Sequence, residues 1–361
     1  MISPAEPRRA AIVGTGLIGG SVGLALRRQG WWVTGVDHDE ARAARAAELG
    51  ALDEVGEVAG ADVAVIATPV GAVVDAARAA LDAGVPVVTD VGSVKAPITE
   101  TLADPRFVGG HPMAGSEQEG IEGADPDLFR GATWVLTPDE NTAPAAFAIV
   151  GGMVRSLGAE VIAVPPAAHD RLVAMVSHVP HLTAATLMSL ASERADEHRA
   201  LLRLAAGGFR DMTRIAAGHP GIWPDICSAN GTAIAEVFDD LIAALQRTRD
   251  LVAAADRRGL LDALEAARTA RVNLPARGVT EGPMAVVRVP VPDRPGVLAE
   301  VTTLASELEV NIADIEIAHS AEGEAGVLIV VVPAAASERL VSGLVARAYR
   351  PSTTRLDTDE S

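Results

Sequence analysis

The sequence predicts an α/β domain built on a parallel sheet, then an all-helical domain, then a small βαββαβ sandwich. Three observations predict this order. Compact apolar runs alternate with helical patterns over residues 1–164, strand-like runs disappear from 165 to 272, and strand and helix signals return in a new order from 284 to 356. A chain of 361 residues is too long for one ordinary core, and 49% hydrophobic with 22% charged residues is globular composition.

Each element follows from its residues. Ala10 to Val13 is a short apolar run that ends in Gly14-Thr15-Gly16-Leu17-Ile18-Gly19. A helix is expected from Gly20 to Gln29, closed by Gly30 as its C-terminal cap. Trp31 to Val36 is β-branched and aromatic and ends at Asp37. Asp62 to Ala67, Val85 to Thr89 and Phe107 to Gly109 read as further parallel strands, with Thr133 to Leu136 and Glu160 to Val164 added as edge strands. Beyond Pro165 apolar residues recur three and four apart, as in Leu182, Leu187 and Leu190 and again in Val237, Leu241 and Leu245, which is a helical pattern. Residues 273–283 are rich in Gly and Pro and read as a linker. The last domain reads strand (Ala285–Val291), helix (Gly296–Leu308), strand (Ile312–Ala318), strand (Val327–Val332), helix (Ser337–Ala348), strand (Thr353–Leu356). That order is ferredoxin-like.

A formal net charge of −18 argues against a nucleic-acid partner, whose phosphates demand a basic face. It also means that an anionic substrate needs a few well-placed local cations. No apolar run is seen that approaches the ~20 residues of a membrane span, and residues 1–9 lack a signal-peptide core. A cytoplasmic location is expected, because Cys227 is the one cysteine and reads as a small buried hydrophobe.

The glycine loop follows a strand and opens a helix, the context in which G-x-G-x-x-G carries meaning. Gly14 permits the turn, Gly16 lets backbone approach a pyrophosphate, and Gly19 allows close helix–strand packing, while amides at Leu17 and Ile18 face the phosphates. Asp37 lies 18 residues past Gly19, where a carboxylate accepts hydrogen bonds from a ribose 2′-OH and repels a 2′-phosphate. Asp39 and Glu40 add to that repulsion, so NAD is expected over NADP. This is a Rossmann-like domain by pattern.

Three further segments carry chemistry: Asp90-Val91-Gly92-Ser93-Val94-Lys95, Gly109-Gly110-His111-Pro112-Met113-Ala114-Gly115-Ser116-Glu117, and Ser177-His178-Val179-Pro180-His181. The first two sit at C-terminal ends of predicted strands, where open α/β sheets bind ligands. Gly207-Gly208-Phe209-Arg210-Asp211-Met212-Thr213-Arg214 lies downstream. Together these segments resemble the prephenate and arogenate dehydrogenase family from about Arg9 to Arg271, with no departure at the matching positions. The resemblance implies a Rossmann domain joined to a helical dimerisation domain, and hence a homodimer. It further implies that His111 is the catalytic histidine and that Ser93 orients the reacting hydroxyl. Ser116, His181 and Arg214 would contact substrate, with Glu117 and Asp211 forming an ionic network around Arg214. The implied reaction is NAD-dependent oxidative decarboxylation of prephenate to 4-hydroxyphenylpyruvate, in tyrosine biosynthesis.

The residues themselves agree with this reading. Taking hydride from C4 of a cyclohexadienol requires an acceptor for the hydroxyl proton, and neutral His111 suits that near neutral pH. Arg214 would clamp a carboxylate bidentately. Pro180 is expected to kink or start a helix by its clash with the carbonyl of Val176. His178 and His181 are spaced like a metal pair, but a zinc site takes three or four ligands and few partners lie nearby, so no metal is expected. His38, His169, His198, His219 and His319 read as surface or core residues. Rival readings are arogenate oxidation, another hydroxyacid dehydrogenase, and a non-catalytic NAD-sensing regulator. Lys95 is the chain's only lysine, and the helical G-x-x-x-N-K of the β-hydroxyacid family is missing.

Residues 284–356 resemble an ACT domain, on the βαββαβ order and on Asp293-Arg294-Pro295-Gly296-Val297-Leu298-Ala299. The resemblance implies an amino-acid effector, tyrosine first, held by Asp293, Pro295, Gly296 and Asn311.

Overall fold

A computed structural model describes residues 7–115, 118, 120–197, 200–273, 283–292, 294–319 and 325–356. The chain forms two compact units, residues 1–246 and 247–361.

The first unit is organised by one sheet. Its strands are β1 (Arg9–Val13), β2 (Trp32–Val36), β3 (Glu54–Val55), β4 (Val63–Ile66), β5 (Val88–Asp90), β6 (Phe107–Pro112), β7 (Thr133–Thr137) and β8 (Glu160–Ala163). They lie in the order β3-β2-β1-β4-β5-β6-β7-β8. β3 through β6 are parallel, β7 runs antiparallel to β6, and β8 is parallel to β7. The helices α1 (Leu17–Arg28), α2 (Glu40–Glu48), α3 (Val73–Asp82), α4 (Ala96–Leu102) and α5 (Pro144–Ser156) connect the strands. Alternation along β1 shows why both faces are covered: Ala10 and Ile12 join one apolar cluster, with Leu26 and Trp134, and Ala11 joins another, with Ile66 and Val73.

Several boundaries differ from the sequence expectation. α1 begins at Leu17 rather than Gly20, because Gly16 takes the extended N-cap conformation and frees the next residues to wind. β3 was not expected; its two exposed residues leave no apolar run to read. Of the two strands expected at an edge, the one at Thr133 is interior and β8 alone is at an edge, since β6 and β8 pair with β7 on either side.

From Pro166 onward the unit is helical: α6 (Pro166–Val173), a π turn (Ala174–His178), α7 (Val179–Glu197), α8 (Gly207–Thr213), a 3₁₀ turn (Arg214–Ala217), α9 (Trp223–Ala229) and α10 (Gly231–Ala253). The π turn is the expected effect of Pro180. Loss of its N–H breaks the helical ladder one turn back, and the wider turn absorbs the break. Against expectation, the stretch Pro166–Ala195 is long and apolar enough for a membrane span by length and composition alone. It carries a buried His–Asp pair, so its place is the site scaffold. Ala174, Val179 and Ile234 form a small core with Leu182, Cys227 and Phe238, whereas Leu172, Met175, Val176 and Leu190 are exposed. Cys227 is half-buried there, and burial pushes its thiol up.

The second unit contains α11 (Arg257–Val272), β9 (Met284–Pro292), α12 (Val297–Glu307), β10 (Asp314–His319), β11 (Ala325–Pro333), α13 (Ala334–Ala346) and β12 (Ser352–Leu356). The strands form an antiparallel sheet in the order β10-β11-β9-β12, which is the ferredoxin-like arrangement. Val287, Val289, Leu304, Leu328, Val330 and Leu340 make its core. Most of the expected linker lies outside the described residues.

Candidate active site

The glycine loop behaves as its sequence requires. Gly14 has φ +93°, and a Cβ there would lie 2.6 Å from the carbonyl oxygen of Ala67. A Cβ on Gly19 would lie 2.0 Å from the carbonyl oxygen of Gly14. At Gly16 a Cβ would meet nothing within 4 Å, so the loop presents a bare backbone cradle at the opening of α1. That cradle, with the half-buried Leu17 and Ile18 in the first turn, fits a dinucleotide pyrophosphate. Asp37 ends β2 as expected, but its carboxylate turns into the loop. It accepts hydrogen bonds from Thr15 N (2.8 Å), Thr15 Oγ1 (3.2 Å) and Asp39 N (3.0 Å). Burial pushes its pKa up, and these donors together with Arg42 outweigh it, holding the group below the ordinary carboxylate value. Its side chain is 2% exposed, so Asp37 also shapes the loop itself.

His111 lies at the end of β6, beside the loop that follows β5. A buried ion pair fixes it there. Asp90 accepts from Gly110 N (3.0 Å) and Gly92 N (2.9 Å), while Lys95 Nζ donates to Asp90 and to the carbonyl of Gly110 (2.8 Å). Both backbone polar groups of Gly110, the residue before His111, are therefore held. The two flanking glycines admit this clamp, since a Cβ on Gly110 would lie 2.6 Å from Asp90 O and one on Gly109 3.3 Å from Lys95 Cδ. Burial pushes the Lys95 ammonium down, against the pull of Asp90. Ser93 sits half-buried in the same loop.

The structure adds partners that sequence reasoning missed. His111 Nδ1 lies 2.9 Å from His169 Nε2, and His169 Nδ1 lies 2.8 Å from Asp170 Oδ1. Asp170 also accepts from Lys95 N and Ala96 N, both at 2.8 Å, capping the start of α4 from 75 residues away. Asn230 Nδ2 donates to Asp170 O (2.9 Å) and lies 3.2 Å from His178 Nδ1. His169 was expected to be an ordinary surface or core histidine. It is a core residue, 1% exposed, and its partner is the predicted catalytic side chain. No spacing in the sequence signals this, because α6 and β6 meet only in the fold.

Burial pushes the His111 imidazole well below the ordinary 6.5, and His169, Lys95 and His178 push the same way. Burial likewise lowers His178 to about 4, against Asp170, and lowers His181. The ring of His181 stacks on Trp223 at 3.8 Å and 17°, and Trp223 was another residue without a sequence signal. His181 Cε1 lies 3.5 Å from the position of a Cβ on Gly218, so the turn carrying Arg214 runs beside it. Arg214 and Asp211 are exposed on consecutive short elements. Ser116 and Glu117 lie outside the described residues, as does Asp293. In the second unit Pro295, Gly296 and Asn311 are exposed, and Gly296 is the N-cap of α12 with φ +89°.

Residues 22–199 match the family described as prephenate dehydrogenase, nucleotide-binding domain, and residues 165–266 match prephenate dehydrogenase, dimerization domain. A prephenate dehydrogenase of Bacillus subtilis is 33% identical over 334 residues, covering 88% of this chain and 90% of that protein. The chain belongs to the prephenate dehydrogenase family. It is thereby an NAD-dependent oxidoreductase. A cyclohexadienyl dehydrogenase of Zymomonas mobilis is 34% identical, over 74% of this chain and 96% of its own. Among solved family structures, prephenate dehydrogenase from Aquifex aeolicus in complex with hydroxyphenyl propionate and NAD+ aligns with TM-score 0.70 and 28% identity, over 76% of this chain and all of that one. Synechocystis arogenate dehydrogenase aligns with TM-score 0.67 and 30% identity, over 74% and 100%. About a quarter of this chain therefore has no counterpart in those two family members.

Proposed function

We propose that this chain oxidises prephenate with NAD, releasing CO₂ and forming 4-hydroxyphenylpyruvate in the route to tyrosine. The observation that carries the reading is His111: a neutral imidazole at a strand end, clamped through Gly110 and wired to buried partners. Gly14, Gly16, Leu17, Ile18 and Gly19 hold the dinucleotide pyrophosphate, and Asp37 sets the preference for NAD over NADP. When bound, NAD supplies the hydride acceptor. His111 accepts the 4-hydroxyl hydrogen while the C4–H bond breaks, and Ser93 orients that hydroxyl. Arg214 clamps a substrate carboxylate and supplies the local cation that a chain of net charge −18 otherwise lacks. Ser116 and His181 complete the pocket, with Glu117 and Asp211 around Arg214.

The working division is 1–164 nucleotide-binding, 165–272 helical, 273–283 linker and 284–356 ACT-type regulatory domain. The apolar side chains left exposed on α6, the π turn and α7 support a homodimer through the helical domain. The third domain would bind tyrosine through Asp293, Pro295, Gly296 and Asn311. Likeness to an arogenate dehydrogenase keeps a second substrate in view. The test is steady-state turnover of prephenate and of arogenate, each with NAD and NADP, with products separated. Prephenate with NAD is expected to yield NADH and 4-hydroxyphenylpyruvate in equal amounts; turnover of arogenate alone would overturn the substrate assignment.

A further inference from the structure

We propose that His169 and Asp170 are positioning residues that lock His111 in the tautomer whose Nε2 carries a bare lone pair. This rests on the reading of His111 as proton acceptor and adds the wiring that readies it.

A neutral imidazole has one N–H and one lone pair, and the partner of one nitrogen decides the role of the other. The decision starts at Asp170. Its Oδ1 receives the amide hydrogen of Lys95 and its Oδ2 that of Ala96, and backbone amides only donate. Asp170 is thus fixed as an acceptor, and His169 Nδ1, 2.8 Å from Oδ1, brings the hydrogen. His169 Nε2 is then a lone pair. It faces His111 Nδ1 at 2.9 Å, so His111 Nδ1 donates and His111 Nε2 is left bare. The opposite wiring would press the lone pair of His169 Nδ1 against a carboxylate oxygen at 1% exposure, with no water to relieve it.

The lock matches what the reaction asks. The hydroxyl proton moves onto His111 Nε2 as C4 loses hydride to NAD, and the new charge spreads through His169 toward Asp170. As the bond to the ring carboxylate breaks and CO₂ leaves, its electron pair enters the ring. The proton then returns from His111 to the oxygen of the phenol. The imidazole ends neutral in its starting tautomer, with no proton lost to solvent.

The test combines ¹⁵N spectra of the histidine side chains with kinetics of the full-length protein. Wild type is expected to show His111 neutral with hydrogen on Nδ1. Asp170→Ala removes the acceptor that orients His169, so both rings are free to reverse, and turnover should fall at least about tenfold with KM for prephenate and affinity for NAD within about threefold. Because Asp170 also caps α4, a second pair guards against misfolding. His169→Gln places a side-chain oxygen where Nε2 was and should keep turnover within about tenfold of wild type, whereas His169→Leu should lose at least about tenfold more. Hydrogen on His111 Nε2 in wild type, or equal loss in the Gln and Leu variants, would overturn the lock. His111→Asn separates the two layers: if it turns over normally, the acceptor assignment fails. If it is inactive while the His169 variants are normal, only the lock fails.

Discussion

Two strand–helix junctions in this chain are marked by glycine, and they are built differently. At Gly14–Gly19 two of the three glycines have backbone where a side chain would go, and Asp37 ties the loop to β2. At Gly296 the backbone is also left-handed, yet a Cβ would meet nothing within 4 Å and the preceding Pro295 is exposed. The first junction is over-determined by contacts, so its residue pattern reports a function. The second is open, so its pattern reports a turn.

Four measurements bear on the difference between these two regions. The largest effect is expected in the domain that carries the first junction: His111→Asn should lower kcat by about 10²–10⁴-fold with NAD affinity nearly intact, checked by steady-state kinetics and NAD titration. Next, Arg214→Ala should raise the KM for prephenate about 10–150-fold, far more than it lowers kcat. An unchanged KM would return Arg214 to a solvated charge. Third, Asp37→Ser should narrow the preference for NAD over NADP by about tenfold, the worth of one charge-assisted hydrogen bond. Because Asp37 also holds Thr15, a drop in NAD affinity without any gain for NADP would mark it as a loop-shaping residue only. The smallest effect is expected at the open junction. Removing residues from Met284 onward should leave basal turnover within about twofold but abolish any response to tyrosine. A truncated enzyme with the same tyrosine inhibition curve would make the third domain structural.

The fold was legible wherever periodicity or turn chemistry was local. Alternating runs announced β1, β2, β4, β5 and β6, and the βαββαβ order announced the last sheet. What stayed hidden depended on distant packing. β3 has two exposed residues and no pattern, and the reversal of β7 is a property of its pairing rather than its composition. The site divides in the same way. His111 and the glycine loop stand out in sequence because glycines crowd around them. His169, Asp170, Asn230 and Trp223 carry no such flags, since each acquires its role only when α6 is brought against β6 and the start of α4, Asn230 against α6, and α9 against α7. Lys95 stood out only as a lone lysine, and nothing in its neighbours said that it would be buried on Asp90.

If neutral His111 accepts the proton of the reacting hydroxyl, the rate must carry its titration. A protonated imidazole has no lone pair to offer, so kcat/KM for prephenate should fall as pH drops through the His111 pKa. That limb should lie below 6.5, because burial and the neighbouring His169, Lys95 and His178 all disfavour the charged ring. In His111→Asn the limb should vanish from the residual rate, leaving at most a limb near 4 from His178. A wild-type limb at or above 6.5, or an unchanged limb in His111→Asn, would contradict the account.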